Sequence, residues 1–138
     1  MFLLDTNVIS ELRNRHRANE NVRRWVERQQ PSDLFISAVT YLEIEIGARR
    51  LIKRDPPAGT LLREWIDTKI LPVFDTRILP VDRYIMNICA ALQVERSRPV
   101  LDVMIAATAA AHGLVMVTRN VKDFADTGVK IVNPFDAL

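Results

Sequence analysis

Phe2-Leu3-Leu4-Asp5-Thr6-Asn7-Val8-Ile9 is an apolar run that halts at three polar residues and then resumes with helical spacing. The reading that fits is a short buried strand ending where a helix begins, with Thr6 or Asn7 as the cap. The same grammar recurs downstream. Leu34-Phe35-Ile36-Ser37 is a second strand, followed by a long helix from Ala38 to about Arg54 in which Val39, Leu42 and Ile46 fall at helical intervals. Leu114 to Val117 and Lys130-Ile131-Val132 are further strands. Helices are expected over Val8–Leu12, 19–29, 60–69, 83–96 and 101–111. Asp82 should cap the helix that carries Ile85, Ile88, Cys89 and Leu92 inward, and His112-Gly113 should stop the last one. Leu71-Pro72-Val73-Phe74 and Ile78-Leu79-Pro80-Val81 read as extended pieces. Strands alternating with helices along one chain predict a three-layer α/β/α fold on a mainly parallel sheet, here as one domain over 1–138.

In such sheets ligands bind beyond the carboxyl ends of the strands. Asp5 and the Thr118-Arg119-Asn120 turn both follow strands directly, so both belong on that edge. Three other acids deserve the same question. Glu43 and Glu45 point about 200° apart on a helix of 3.6 residues per turn, so only one can face inward. The register of Glu43 after Val39 gives it the inward role and leaves Glu45 to the surface. Asp102 stands at the mouth of the most apolar helix, Leu101-Asp102-Val103-Met104-Ile105-Ala106-Ala107, where the helix dipole stabilises a carboxylate. Asp123 follows the last turn, and Asn120 is close enough in sequence to contribute.

Each acid alone has an ordinary explanation as a cap or turn residue. Four carboxylates from four segments at one edge do not stay ionised side by side without a cation. Oxygen ligands of this kind suit Mg²⁺ or Mn²⁺, with one or two carboxylates completed by water and a substrate phosphate. Asp5 and Asp102 are the most direct candidates as metal ligands, and Glu43 and Asp123 complete the pocket directly or through water. Thr6 and Thr118 are supporting donors, although capping is the more ordinary role for each.

Composition narrows the alternatives. The chain has 138 residues, 49% of them hydrophobic, which is enough to bury a core. Its single cysteine, Cys89, sits among apolar residues and reads as a buried structural thiol in a reducing compartment. No basic segment followed by a long apolar run precedes Asp5, and no later run is long enough to span a bilayer. A cytoplasmic location without membrane attachment is therefore expected. The net charge of +2 is unremarkable, but arginines cluster at 13, 15, 17, 23, 24 and 28, and Arg49, Arg50, Lys53 and Arg54 form a second group. These clusters either neutralise phosphates or form solvated faces paired to Glu20 and Glu27. His16, His112 and Cys89 lack zinc spacing, and no phosphate-binding glycine loop or nucleophile elbow is present.

Four segments in order carry a family resemblance. Leu3-Leu4-Asp5-Thr6-Asn7-Val8-Ile9-Ser10, Ser37-Ala38-Val39-Thr40-Tyr41-Leu42-Glu43-Ile44-Glu45-Ile46-Gly47, Asp102-Val103-Met104-Ile105-Ala106-Ala107-Thr108-Ala109 and Val117-Thr118-Arg119-Asn120-Val121-Lys122-Asp123-Phe124 resemble the PIN-domain family. Their order is most similar to the VapC-type toxins of bacterial toxin–antitoxin systems, the FitB-like subgroup included. The resemblance implies a Mg²⁺- or Mn²⁺-dependent endoribonuclease, a homodimer, an RNA substrate and a cognate antitoxin. It sets Asp5, Glu43 and Asp102 in three acidic positions. The fourth falls at Asn120 in some relatives and at Asp123 in others, and Asp123 is the one that carries charge. Two further readings share the pocket: a DNA-directed metal nuclease, and a nucleic-acid-binding regulatory module without turnover. A phosphorylated receiver domain would want paired acids after the first strand, and Asp5 is single.

Overall fold

The structure, a computed structural model, describes residues 1–14 and 16–136. Arg15, counted above in the first basic cluster, lies outside them. Five strands form one sheet in the order β3-β2-β1-β4-β5, with β1 at Phe2–Leu4, β2 at Leu34–Ser37, β3 at Ile78–Leu79, β4 at Val115–Val117 and β5 at Ile131–Val132. Every pairing is parallel, with Leu3 opposite Phe35 on one side and Met116 on the other.

Period-two alternation along the strands divides the core into two layers. Leu4, Ile36 and Val117 face one side, where they meet α1 (Thr6–Leu12), α2 (Glu20–Glu27) and part of α3 (Ala38–Arg54). Leu3 and Met116 face the other, against α7 (Val100–His112) and α8 (Val121–Phe124). On the first side Trp25 meets Phe2 edge to face, ring centres 4.9 Å apart. The expected three-layer α/β/α fold is the one observed.

Several local expectations fail, each for a physical reason. The cap of α1 is neither Thr6 nor Asn7 but Asp5 itself, whose Oδ1 accepts from Thr6 N at 2.7 Å. Leu71–Phe74 is not extended: α4 (Pro56–Trp65) runs through a π-helical turn at Ile66–Ile70 into α5 (Leu71–Phe74). Pro56 and Pro57 start α4 rather than merely ending α3, because proline is tolerated in a first turn whose N–H groups have no partner anyway. Leu42 is 46% exposed and does not pack inward; Val39, Thr40, Ile44 and Ala48 are the buried residues of α3.

Glu45 is not left to the surface either. Arg63 on α4 grips it with two bonds of 2.7 Å and holds its carboxyl down to about 2. On α6 (Arg83–Glu95), Asp82 does cap the helix, but only Ile85 is buried, while Ile88, Cys89 and Leu92 are half-buried. Gly113 ends α7 in the left-handed conformation at φ 64°, which costs glycine little. No helix among the described residues is long and apolar enough to cross a membrane.

Candidate active site

The strand order reverses between β1 and β4, and Asp5 and Thr118 lie at the carboxyl ends of those two strands. The Asp5 amide donates to Val117 O across the gap at 2.9 Å, which locks the two strand ends together. Asp5 is 4% exposed, so its carboxylate must be bonded in place. Oδ1 accepts from Thr6 N, while Oδ2 accepts from Thr118 Oγ1 at 2.7 Å and Asn7 Nδ2 at 3.2 Å. Burial pushes the Asp5 carboxyl above its ordinary range. The bonds from Thr118, Thr6 and Asn7 pull it back, and the charge of Asp123 raises it again.

Glu43 comes from the second turn of α3. Thr6 reaches across from α1 and donates to its Oε1 at 2.7 Å. Asp102 sits in the first turn of α7, whose cap position is Pro99 with no side-chain bond. Its carboxylate is therefore not the helix cap. Burial pushes it up to about 6, helped in turn by the negative charges of Asp5, Glu43 and Asp123. That coupling shows the four acids sharing one field. Asp123 is exposed, but the next residue, Phe124, is wholly buried and anchors the short α8 that carries it. Asn120 offers its backbone N–H, to Thr118 Oγ1 at 3.0 Å, and its side chain caps nothing.

Sequence reading undervalued three of these residues. Thr6 and Thr118 are not caps, since their hydroxyls hold Glu43 and Asp5. Asn7, weighed only as a cap, bonds Asp5 and Thr118 (3.3 Å) and accepts from Arg119 N at 3.3 Å. The signal was available: Asp5-Thr6-Asn7 holds three polar residues where one cap suffices.

Among the described residues no three His, Cys, Asp or Glu side chains stand grouped as a ready-made metal cage. Mg²⁺ does not require one, because it keeps several waters and takes one or two carboxylates. The donor set fits such an ion: oxygen only, with Asp102 pushed up to about 6 by burial and, in lesser part, by the neighbouring negative charges. The Asp102 proton is held to a higher pH in the fold than in the unfolded chain, where aspartate titrates near 3.8. Between those values the folded state binds more protons at Asp102, so this group's contribution to metal-free stability falls as pH rises from about 4 to about 6. Asp102→Asn removes this loss. At about pH 7.5 in chelator the variant should melt a few degrees higher than the unaltered chain, and Mn²⁺ should stabilise it less. A melting curve lower in the variant would contradict the repulsion.

The PIN domain profile matches residues 2–130. The chain is 35% identical to VapC ribonuclease Y4jK of Sinorhizobium fredii, covering 99% of both chains. It is likewise 35% identical to toxin FitB of Neisseria gonorrhoeae, covering 98% of this chain and 99% of that one. The crystal structure of FitAcB from Neisseria gonorrhoeae superposes with a TM-score of 0.89 at 34% identity, over 99% of this chain and all of the other.

Proposed function

The chain belongs to the PIN-domain family, and from that membership we propose that it is a divalent-metal-dependent endoribonuclease acting as the toxin of a toxin–antitoxin pair. The observation that carries the nuclease reading is the shared field at the sheet edge. Asp5, Glu43, Asp102 and Asp123 come from four separate segments, and Asp102 is pushed up to about 6 by burial and the other three charges. Asp5 and Asp102 would hold Mg²⁺ or Mn²⁺ directly, with Glu43 and Asp123 acting directly or through water. When bound, such an ion supplies a polarised water and charge stabilisation for the phosphate. The chain supplies the rest. Thr118 and Asn7 hold the inner oxygen of Asp5, Thr6 holds Glu43, and the free face of Asp102 stays open for a ligand or a proton. Of the two residues that compete for the fourth position, Asp123 is the better fit, because its charge reaches both Asp5 and Asp102.

The names of the VapC ribonuclease and FitB toxin relatives support RNA as substrate and a toxin's role. A cell that carries such an activity must hold it in check, which is the place of a cognate antitoxin; a homodimer and a cytoplasmic location belong to the same proposal. Induced expression without an antitoxin should slow growth, and co-expression of the neighbouring antitoxin should relieve it. Sequencing of RNA 5′ ends after induction should reveal new ends absent from an Asp5→Asn control. Identical end profiles in the two would sink the ribonuclease reading, and new ends in DNA instead would turn it towards a DNA-directed nuclease.

A further inference from the structure

Glu43 and Thr6, joined at 2.7 Å, are also the wall of a trough of about 280 Å³ leading away from the acids. Arg13, Gly47, Arg54 and Trp65 also line it, together with the apolar Ile44, Leu51 and Leu62. A second hollow of about 500 Å³ shares Ser10, Arg13 and Trp65 and continues to Asn14 and His16. The surface therefore runs from Glu43, one of the four acids, past an aromatic ring and two arginines.

We propose that this trough is a subsite for single-stranded RNA, in which Trp65 stacks on a base and Arg13 and Arg54 take the adjoining phosphates. It rests on the ribonuclease reading and extends it from where the chain is cut to how the strand is held. Three observations carry it. Arg13 and Arg54 are exposed and, like Arg17, Arg28, Arg50, Arg77, Arg83 and Arg119, join no ion pair among the described residues, but these two line the trough itself. Charges left unspent beside a pocket of carboxylates are suited to neutralise a phosphate strand crossing it.

Trp65 is half-exposed directly before the π-helical turn, which buries Ile66 and Ile70 against the core and leaves the indole bordering both hollows. A partly exposed aromatic ring flanked by two exposed cations suits the stacking of a single-stranded base without regard to sequence. Gly47 lies in the middle of α3, where glycine weakens a helix, and a Cβ added there meets nothing within 4 Å. Helix packing does not require glycine at this position, and the missing side chain leaves this part of the trough open.

The test uses the full chain in the Asp5→Asn background with Mg²⁺ and a fluorescein-labelled single-stranded RNA of mixed sequence, read by anisotropy. Arg13→Glu with Arg54→Glu should weaken binding about tenfold or more. It should also flatten the dependence of log affinity on log salt by about 1.4, or about 0.7 for each phosphate contact in a single strand. Gly47→Leu should fill the trough and weaken binding without lowering the melting temperature. Trp65→Leu should weaken binding where Trp65→Phe largely preserves it. RNA should quench tryptophan emission, and the quench should vanish in Trp65→Phe, because Trp25 is buried.

Unchanged RNA affinity and salt slope in the arginine and Gly47→Leu variants would overturn the subsite, including where those variants lose only an acidic protein partner. If the chain with Asp5 intact still cuts RNA in that case, the ribonuclease reading stands alone. RNA neither bound nor cut by the unaltered chain removes both.

Discussion

Asp5→Asn should lower metal-dependent RNA cleavage by about 1,000-fold or more and leave the melting temperature within a few degrees of the unaltered chain. The loss follows from charge. A carboxylate that holds a divalent ion contributes several kcal/mol to the reacting phosphate through it, and each 1.36 kcal/mol is tenfold in rate, so about 4 kcal/mol is about 1,000-fold. The retained fold follows from shape. Asparagine is as good a helix cap as aspartate, so its Oδ1 can keep the bond from Thr6 N. Its amide replaces the oxygen that Thr118 and Asn7 now share. The Thr118 hydroxyl can turn to accept from that amide, and the Asn7 amide can flip, losing only the long, exposed bond that its oxygen accepts from Arg119 N. The substitution also removes a carboxylate whose charged form burial, and in lesser part the charge of Asp123, already disfavours. Asp5→Ala, by contrast, should lose cleavage and stability together, because the cap and both partners are then unpaired. Cleavage assays with Mg²⁺ and with chelator, beside thermal melts, separate these outcomes. Equal cleavage by the Asp5→Asn variant would remove Asp5 from the chemistry.

Gly59→Ala should lower stability by about 2–3 kcal/mol, within the usual range for overpacking, and the melting temperature by roughly 5–15 °C. Gly59 lies on α4 where it crosses α3, and an added Cβ would overlap the backbone N and Cα of Ile52. A flexible side chain could move aside, but the backbone of a helix cannot. Alanine gains up to about 1 kcal/mol of helix propensity over glycine, which offsets only part of the clash. The two helices must part, and the strain falls on the Arg63–Glu45 bonds that tie them together. Cleavage per folded molecule should change little, since the acids lie on α3, α7, α8 and the end of β1 rather than at this crossing. Denaturant titration measures the loss. A melting temperature equal to or above that of the unaltered chain would show that α3 and α4 separate freely here.

The contrast between Gly59 and Asp5 shows what could be read along the chain. Asp5 announced itself through its neighbours: three apolar residues, then an acid, then a helical pattern. Gly59 announced nothing, because a close crossing depends on where a distant residue comes to lie. Leu42 failed for the same reason. Helical spacing places it on an apolar stripe with Val39 and Ile46, but which stripe meets the sheet is set by the partner helices. The segment 71–74 failed differently. Its short apolar pieces with Pro72 fit a strand as well as a helix, and the π-helical turn that keeps Ile66 and Ile70 buried has no local signature.

By itself the sequence determined the layered α/β plan and the edge on which Asp5 belongs. Period-two and period-3.6 patterns are local, and parallel strands joined by helices have few ways to fold. It also named the four acids, because carboxylates placed after apolar strands or inside apolar helix starts stand out against their surroundings. Only the tertiary structure decided how those acids are held. Thr6 to Glu43 spans 37 positions and Thr118 to Asp5 spans 113, and bonds across such separations exist only once the strands are paired. The elevation of Asp102 has the same origin, since burial and the charges of three other segments act on it only when the chain has closed.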